Sequence, residues 1–247
     1  MKLSILTVCL NSEATIGDTI QSVLKQTYKD YEFIIFDGGS SDRTVEIIRS
    51  YGNRVRLIEG RDKGIFDAMN QAISKASGDV IGILNSDDLY VHDSVLSKVV
   101  NTFISKNVDS VYGDLFYVKR NNINKILRTW RSGQYNKYRF QNGWAPPHPT
   151  FFVKRSIYKK FGVFDTSFDI SGDYELMLRF LFKNNISSCY IPDFLVKMRT
   201  GGNSSGNLIG RLKSFREDER AWHINGLKKK IYTIHLKVLS KIPQFFR

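Results

Sequence analysis

The chain has 247 residues, 42% of them hydrophobic, which is enough for one large packed domain with an appendage. No apolar run reaches the ~18–20 residues of a membrane span, and Cys9 and Cys189 stand far apart without CxxC spacing, as reduced core thiols do. The net charge of +13 asks for an anionic partner and is unevenly placed: Arg220, Lys228, Lys229, Lys230, Lys237, Lys241 and Arg247 follow residue 219 with no acidic residue among them.

The opening MKLSILTVCLN has the look of a signal peptide, but its apolar stretch is short and Asn11, Ser12 and Glu13 follow without a cleavage site. It reads as a first strand over 3–10. Helical spacing of Ile16, Ile20, Val23 and Leu24 predicts a helix over 14–26. A strand follows over 31–37 (EFIIFD), then a helix over 42–51 with Asp42 placed to cap it. A strand over 55–59, a helix over 63–76, a strand over 79–84 and a helix over 94–105 continue the rhythm. Alternation of this kind predicts a mostly parallel α/β sheet covered on both faces.

Open α/β sheets bind ligands beyond the carboxyl ends of their strands. Here those ends read Leu10-Asn11, DGGSSD (37–42), EGRD (59–62) and NSDD (85–88); all are polar. The neighbouring Asp87 and Asp88 could cap the next helix, or could hold a divalent cation. A hard cation takes one or two carboxylates and completes its shell with substrate phosphates, which points to Mg²⁺ or Mn²⁺. Asp37, at a strand tip before Gly38 and Gly39, could accept from a nucleobase or a ribose. Neither GxGxxG nor GxxxxGK[ST] is present, so a dinucleotide fingerprint and a phosphate loop are both excluded.

Farther along, SGDYELMLRFLF places Asp173 at the start of a helix, where it could be a dipole partner or a base. WAPPHPTFF concentrates Trp144 and His148 in a proline-rich loop; a sugar-stacking surface and a structural loop weigh about equally. RTGGNSSG (199–206) could be a lid closing on phosphate or a connector. In the tail, Leu227, Ile231, Ile234, Val238 and Ile242 share one side of a helical wheel, widened by Tyr232, Leu236 and Leu239. Lys229, Lys230, Lys237 and Lys241 take the other side, and Pro243 ends the helix before Phe245 and Phe246. Such a helix can lie on an anionic membrane or pack against the domain.

SILTVCLNSEATI, FIIFDGGSSDRTVEII, RDKGIFDAMNQAI, ILNSDD and SGDYELMLRF together resemble, in order and spacing, the blocks of the family-2 glycosyltransferases with the GT-A fold. The resemblance covers about residues 3–200 and lies nearest the bacterial enzymes of O-antigen, capsule and exopolysaccharide synthesis. It implies a Rossmann-like nucleotide-binding half (1–110) and an acceptor half (111–205) in one catalytic domain, with a basic helical tail at 206–247. By resemblance, Thr7, Asn11, Glu13, Asp37, Arg61, Lys63, Asp67, Asn85, Ser86 and Asp87 bind the nucleotide and donor sugar, and Asp87 and Asp88 hold the metal. Asp173 is the base in a motif whose preceding glutamate is Gly172 here, with Glu175 in reserve, and Trp144 and His148 lie toward the acceptor. Gly38 likewise replaces a common second aspartate, and Asn85 stands where many relatives carry one.

The implied activity is inverting transfer of a sugar from a UDP donor to a lipid-linked (polyprenyl diphosphate) saccharide, at the inner face of the cytoplasmic membrane. A nucleic-acid-binding protein would need a basic stripe where this sheet edge is acidic. A sugar-phosphate nucleotidyltransferase would need a Gly-rich basic loop that is absent.

Overall fold

The computed structural model describes residues 1–201, 208–240 and 244. β1 (Leu3–Cys9) is buried along its length. It sends Leu6 and Val8 into one core and Leu3, Ile5 and Cys9 into another, the period-two alternation of a strand buried on both faces. α1 (Ile16–Leu24) turns Ile16, Ile20 and Val23 inward. β2 (Tyr31–Asp37), α2 (Thr44–Arg49), β3 (Arg56–Glu59), α3 (Ile65–Ser74) and β4 (Val80–Ile83) follow. β3, β2, β1 and β4 lie side by side in that order, all parallel, so their carboxyl ends share one edge. This half matches the expected pattern, each element starting or ending within about two residues of its predicted bounds.

Beyond β4 the sheet becomes mixed. β5 (Leu89–Tyr90) and α4 (Val95–Lys106) lead into a hairpin of β6 (Ser110–Lys119) and β7 (Asn122–Trp130). After α5 (Lys137–Gln141), β8 (Phe152–Lys154) enters antiparallel to both β4 and β6, reached by loops rather than a crossover helix. Glycine at position 82 makes room for it: a Cβ there would sit 2.4 Å from the Phe152 ring. α6 (Arg155–Phe161) and α7 (Gly172–Met177), extended by a π-helical turn over Leu178–Lys183, precede β9 (Ser188–Arg199). β9 runs parallel to β6 and pairs antiparallel with β5, which pins the loop joining β4 to β5.

α8 (Leu208–Ile224) and α9 (Thr233–Leu239) close the described chain. Glu217 on α8 accepts from the amides of Asp169, Ile170 and Ser171, just ahead of α7, and Trp222 donates from Nε1 to the Tyr174 hydroxyl at 2.9 Å. The tail differs from the helix expected over 227–242. Gly226, at φ +65°, ends α8, and residues 227–232 carry no helix before α9 begins. Ile234 is buried, whereas Ile231, Val238 and Leu239 are exposed. Two lysines assigned to the outer face are paired instead, Lys229 with Glu219 at 3.0 Å and Lys237 with Asp218 at 2.7 Å. The boundary at 205/206, most of the 199–206 loop, Lys241, Ile242, Pro243, Phe245 and Phe246 lie outside the described residues. Among those described, no helix is long and apolar enough to cross a membrane.

Candidate active site

A cavity of about 620 Å³ opens at the carboxyl edge of the parallel strands, a size typical of small-molecule sites. Asn11, Asn85, Ser86, Asp87, His148 and Asp173 line it, so four of the predicted blocks meet in one space. The NSDD loop is a tight turn, with the Asp88 amide donating to the Asn85 carbonyl at 3.1 Å. Asp87 points into the cavity. Asp88 is buried behind it, one carboxylate oxygen taking the Arg199 amide at 3.1 Å and the other the Asn85 side chain at 3.0 Å. Burial and the neighbouring Asp87 push the Asp88 carboxyl up to about 7.

Facing this loop, Asp173 sits in the first turn of α7 and accepts from His148 Nδ1 at 2.9 Å. His148 Nε2 lies 3.3 Å from the Asn85 side-chain nitrogen, so one imidazole connects the Asp173 carboxylate to the NSDD loop. Burial alone would raise the Asp173 carboxyl, but His148, Lys237 and the Tyr174 amide outweigh it and hold the group below the usual carboxylate range. Burial would lower His148, but Asp173, Asp88 and Asp87 prevail and raise it.

The two glycine departures from the family pattern have a physical cause here. A Cβ at Gly172 would lie 2.7 Å from the Phe66 ring, which stacks on Phe164 with centroids 5.4 Å apart. A glutamate there would displace that packing. A Cβ at Gly38 would fall 2.2 Å from Asp62 Oδ2, so the Asp62 carboxylate occupies the space that a side chain at 38 would use. Asp62, which lines the cavity and accepts from the Gly64 amide at 2.8 Å, was not assigned a role from sequence, although it closes the EGRD strand end (59–62).

Other predicted residues act one step back from the cavity. Thr7 Oγ1 donates to the Leu84 carbonyl at 2.7 Å, tying β1 to the start of the NSDD loop. Asp37 is buried and accepts from Gly39, Ser40 and the Ser40 hydroxyl, so it shapes the DGGSSD loop. Burial and Asp37 together push the adjacent Cys9 thiol up. Glu13 accepts from the Arg43 amide at 3.0 Å at the entry to α2, where Asp42 also accepts from Thr44. Asp67 accepts from the Lys63 amide and from Gln71, while the Arg61 and Lys63 side chains are exposed.

Two candidates belong elsewhere. Glu175 is buried in a bidentate pair with Arg179 and takes Asn225 as well, so it holds α7 to α8 and does not line the cavity. Trp144 donates from Nε1 to the Ser132 carbonyl at 2.9 Å and packs among Tyr112, Tyr135 and Phe140, away from the lining. Conversely, Arg120 and Arg199 line the cavity and were not predicted. Their signals are faint: a KRNN turn between two strands, and an arginine ahead of TGG.

Among the described residues no cluster of three or more His, Cys, Asp or Glu side chains surrounds a metal-sized space. The donors fit another arrangement. Asp87 presents one carboxylate to the cavity with Asp88 behind it, which suits a hard cation completed by phosphate oxygens and water.

The family model described as glycosyl transferase family 2 matches residues 4–186. An Escherichia coli protein, UDP-Glc:alpha-D-GlcNAc-diphosphoundecaprenol beta-1,3-glucosyltransferase WfgD, is 29% identical over 91% of this chain and 85% of its own length. A Mycobacterium tuberculosis PGL/p-HBAD biosynthesis glycosyltransferase is 24% identical over 84% of this chain and 80% of its own. Among solved structures, Staphylococcus aureus TarS bound to UDP-GlcNAc superposes with a TM-score of 0.71 at 17% identity, over 96% of this chain and 69% of that one. The Pyrobaculum calidifontis mannosyltransferase PcManGT, solved with GDP-Man and Mn²⁺, gives 0.67 at 17% identity, over 95% and 68%. With the family model spanning most of its length and these folds matching its own, the chain belongs to glycosyl transferase family 2 and is a glycosyltransferase.

Proposed function

We propose that this enzyme moves a hexose from a UDP-hexose to a hydroxyl of a saccharide carried on a polyprenyl diphosphate, with inversion at the anomeric carbon. The observation that carries this reading is one cavity in which Asp173 faces the NSDD loop across His148. Asp173, held unprotonated by its neighbours, takes the proton of the attacking hydroxyl. Asp87, backed by Asp88, is placed to hold Mg²⁺ or Mn²⁺; when bound, such an ion neutralises charge on the departing diphosphate. Asn11, Ser86 and Asp62 line the nucleotide end, and the DGGSSD loop ordered by Asp37 supports it from behind, Ser41 donating its amide to the Asn11 side chain at 2.9 Å. A single base with a leaving diphosphate makes one displacement, so an α-configured donor yields a β-linkage. WfgD, whose name specifies a UDP-glucose donor and a diphosphoundecaprenol-linked acceptor, supports both substrate classes. An acceptor of that kind is presented at the inner face of the cytoplasmic membrane, where the exposed apolar and basic residues of the C-terminal segment would meet anionic lipid.

The test is transfer to GlcNAc on a diphosphate-linked lipid from UDP-glucose, UDP-galactose, their N-acetylated forms and GDP-mannose, with Mn²⁺ or with EDTA. One UDP donor should turn over, EDTA should abolish turnover, and Asp173→Asn should lower it about 10²–10⁴-fold. Full activity of Asp173→Asn would remove Asp173 as the base. Failure of the protein to bind any nucleoside diphosphate would overturn the reading as a whole.

A further inference from the structure

We propose that Arg120 is a clamp for the donor's diphosphate that Asp87 holds in reserve: it pairs with Asp87 in this structure and transfers to the diphosphate when Asp87 turns to a cation. The proposal rests on the donor reading above and adds to it a residue, on an element outside the nucleotide-binding half.

Arg120 stands at the two-residue turn of the β6–β7 hairpin, where Lys119 pairs with Asn122. The backbone of that turn is anchored. Its carbonyl accepts from Arg199 Nε at 3.2 Å, and the nearly buried Arg199 also donates to the Asp87 carbonyl at 2.7 Å and pairs with Asp18 on α1. Arg199 therefore locks the hairpin tip, the NSDD loop and α1 into one unit, and its own guanidinium is fully engaged. The Arg120 side chain is not locked. Among the described residues its guanidinium pairs with Asp87 alone, at 3.5 Å, with the side chains 47% and 24% exposed. An ion pair that long and that wet is easily exchanged. Its stem runs beside Gly201, where an added Cβ would lie 3.9 Å from Arg120 Cδ.

The chemistry favours the exchange. Arginine and lysine line the cavity, among the described residues, only as Arg120 and Arg199, so Arg120 is the cation able to change partners. Its planar fork matches a phosphate in two hydrogen bonds, and charge grows on the diphosphate as the sugar leaves. With a cation held at Asp87, the Arg120 guanidinium would be released from the carboxylate to pair with the diphosphate, which needs a second positive partner as the sugar leaves. Arg120 also lines a smaller groove beside the cavity, of about 410 Å³, which gives the side chain room on either side.

The test compares wild type, Arg120→Ala and Arg120→Lys by calorimetry with Mn²⁺ alone, UDP with Mn²⁺, uridine, and farnesyl diphosphate as a stand-in for the lipid's diphosphate. Arg120→Ala should bind Mn²⁺ alone about two- to fivefold more tightly, having lost a competitor for Asp87. It should bind UDP about 10- to 100-fold more weakly, with uridine unchanged and Arg120→Lys in between. Unchanged UDP affinity would overturn the proposal, as would Mn²⁺ affinity that fails to rise. An equal loss of uridine would make Arg120 structural, and loss confined to farnesyl diphosphate would assign it to the acceptor; either result also overturns it. Wild-type protein that does not bind UDP would instead refute the donor reading itself.

Discussion

At the residue scale the proposed base depends on His148. Its Nδ1 contact depresses the Asp173 carboxyl, which stays unprotonated to lower pH than an ordinary aspartate would. His148→Ala removes the largest opposing charge, and the Asp173 carboxyl must rise. The acid limb of kcat/KM against pH, which reports the free enzyme, should therefore move to higher pH in the variant; an unmoved limb would mean that Asp173 is not the group titrating. Linkage gives the matching signs for stability. The lowered Asp173 contributes above its unfolded value and loses its contribution as pH falls through the folded one; the raised His148 contributes below its unfolded value and loses it as pH rises through the folded one. The residue types at this site were legible from sequence, because Asp173 opens a helix and His148 follows two prolines. Their contact, across 25 positions of chain, was not.

At the element scale, α9 leans on the loop that carries His148. Thr233 Oγ1 donates to the Gln141 carbonyl at 2.7 Å, and Gly143 lies so close that an added Cβ would meet the Lys237 amide nitrogen at 2.2 Å. Gly143 also has φ +78°, where a side chain is strained. Gly143→Ala should then cost at least about 1–3 kcal/mol, since backbone opposes backbone and neither side can yield. Thermal melting of the variant measures this, and an unshifted midpoint would show that α9 does not press on the loop. Sequence periodicity found the helices of the parallel half because their apolar stripes face one sheet. It found a helix in the tail but began it at 227 rather than Thr233, and it left the pairing of Lys229 and Lys237 unread because Glu219 and Asp218 lie on α8, outside any wheel drawn on 227–242.

At the scale of the whole molecule, the C-terminal segment exposes Ile224, Ile231, Tyr232, Val238 and Leu239 beside the exposed Lys228 and Lys230. Ile231 is 89% exposed, which is unusual for isoleucine in a chain with ample core to receive it. Each lysine near an anionic leaflet contributes about 1 kcal/mol, so replacing Lys228 and Lys230 with serine should weaken binding to phosphatidylserine vesicles about 30-fold. Vesicle co-sedimentation reads this directly, and equal binding by the variant would remove these lysines from any membrane contact. Transfer to a water-soluble acceptor should be unaffected, because both lysines lie outside the cavity lining.

The amino-acid order by itself determined the parallel half: alternating apolar periods of two and 3.6 dictate parallel strands and covering helices, and the topology then forces their polar ends onto one edge. It also marked Asp87, Asp88 and Asp173 as candidates for chemistry, because carboxylates at a strand end and a helix start are there either to cap or to bind. Tertiary structure alone decided which carboxylate faces the cavity and which lies behind it, because Asp88 is turned away by an amide of Arg199, a residue 111 positions later. It alone removed Glu175 from the site, through Arg179 and Asn225, and brought in Arg120 from a hairpin tip. Local pattern records what a residue's neighbours in the chain require; partners that meet only when the sheet closes leave no period to read.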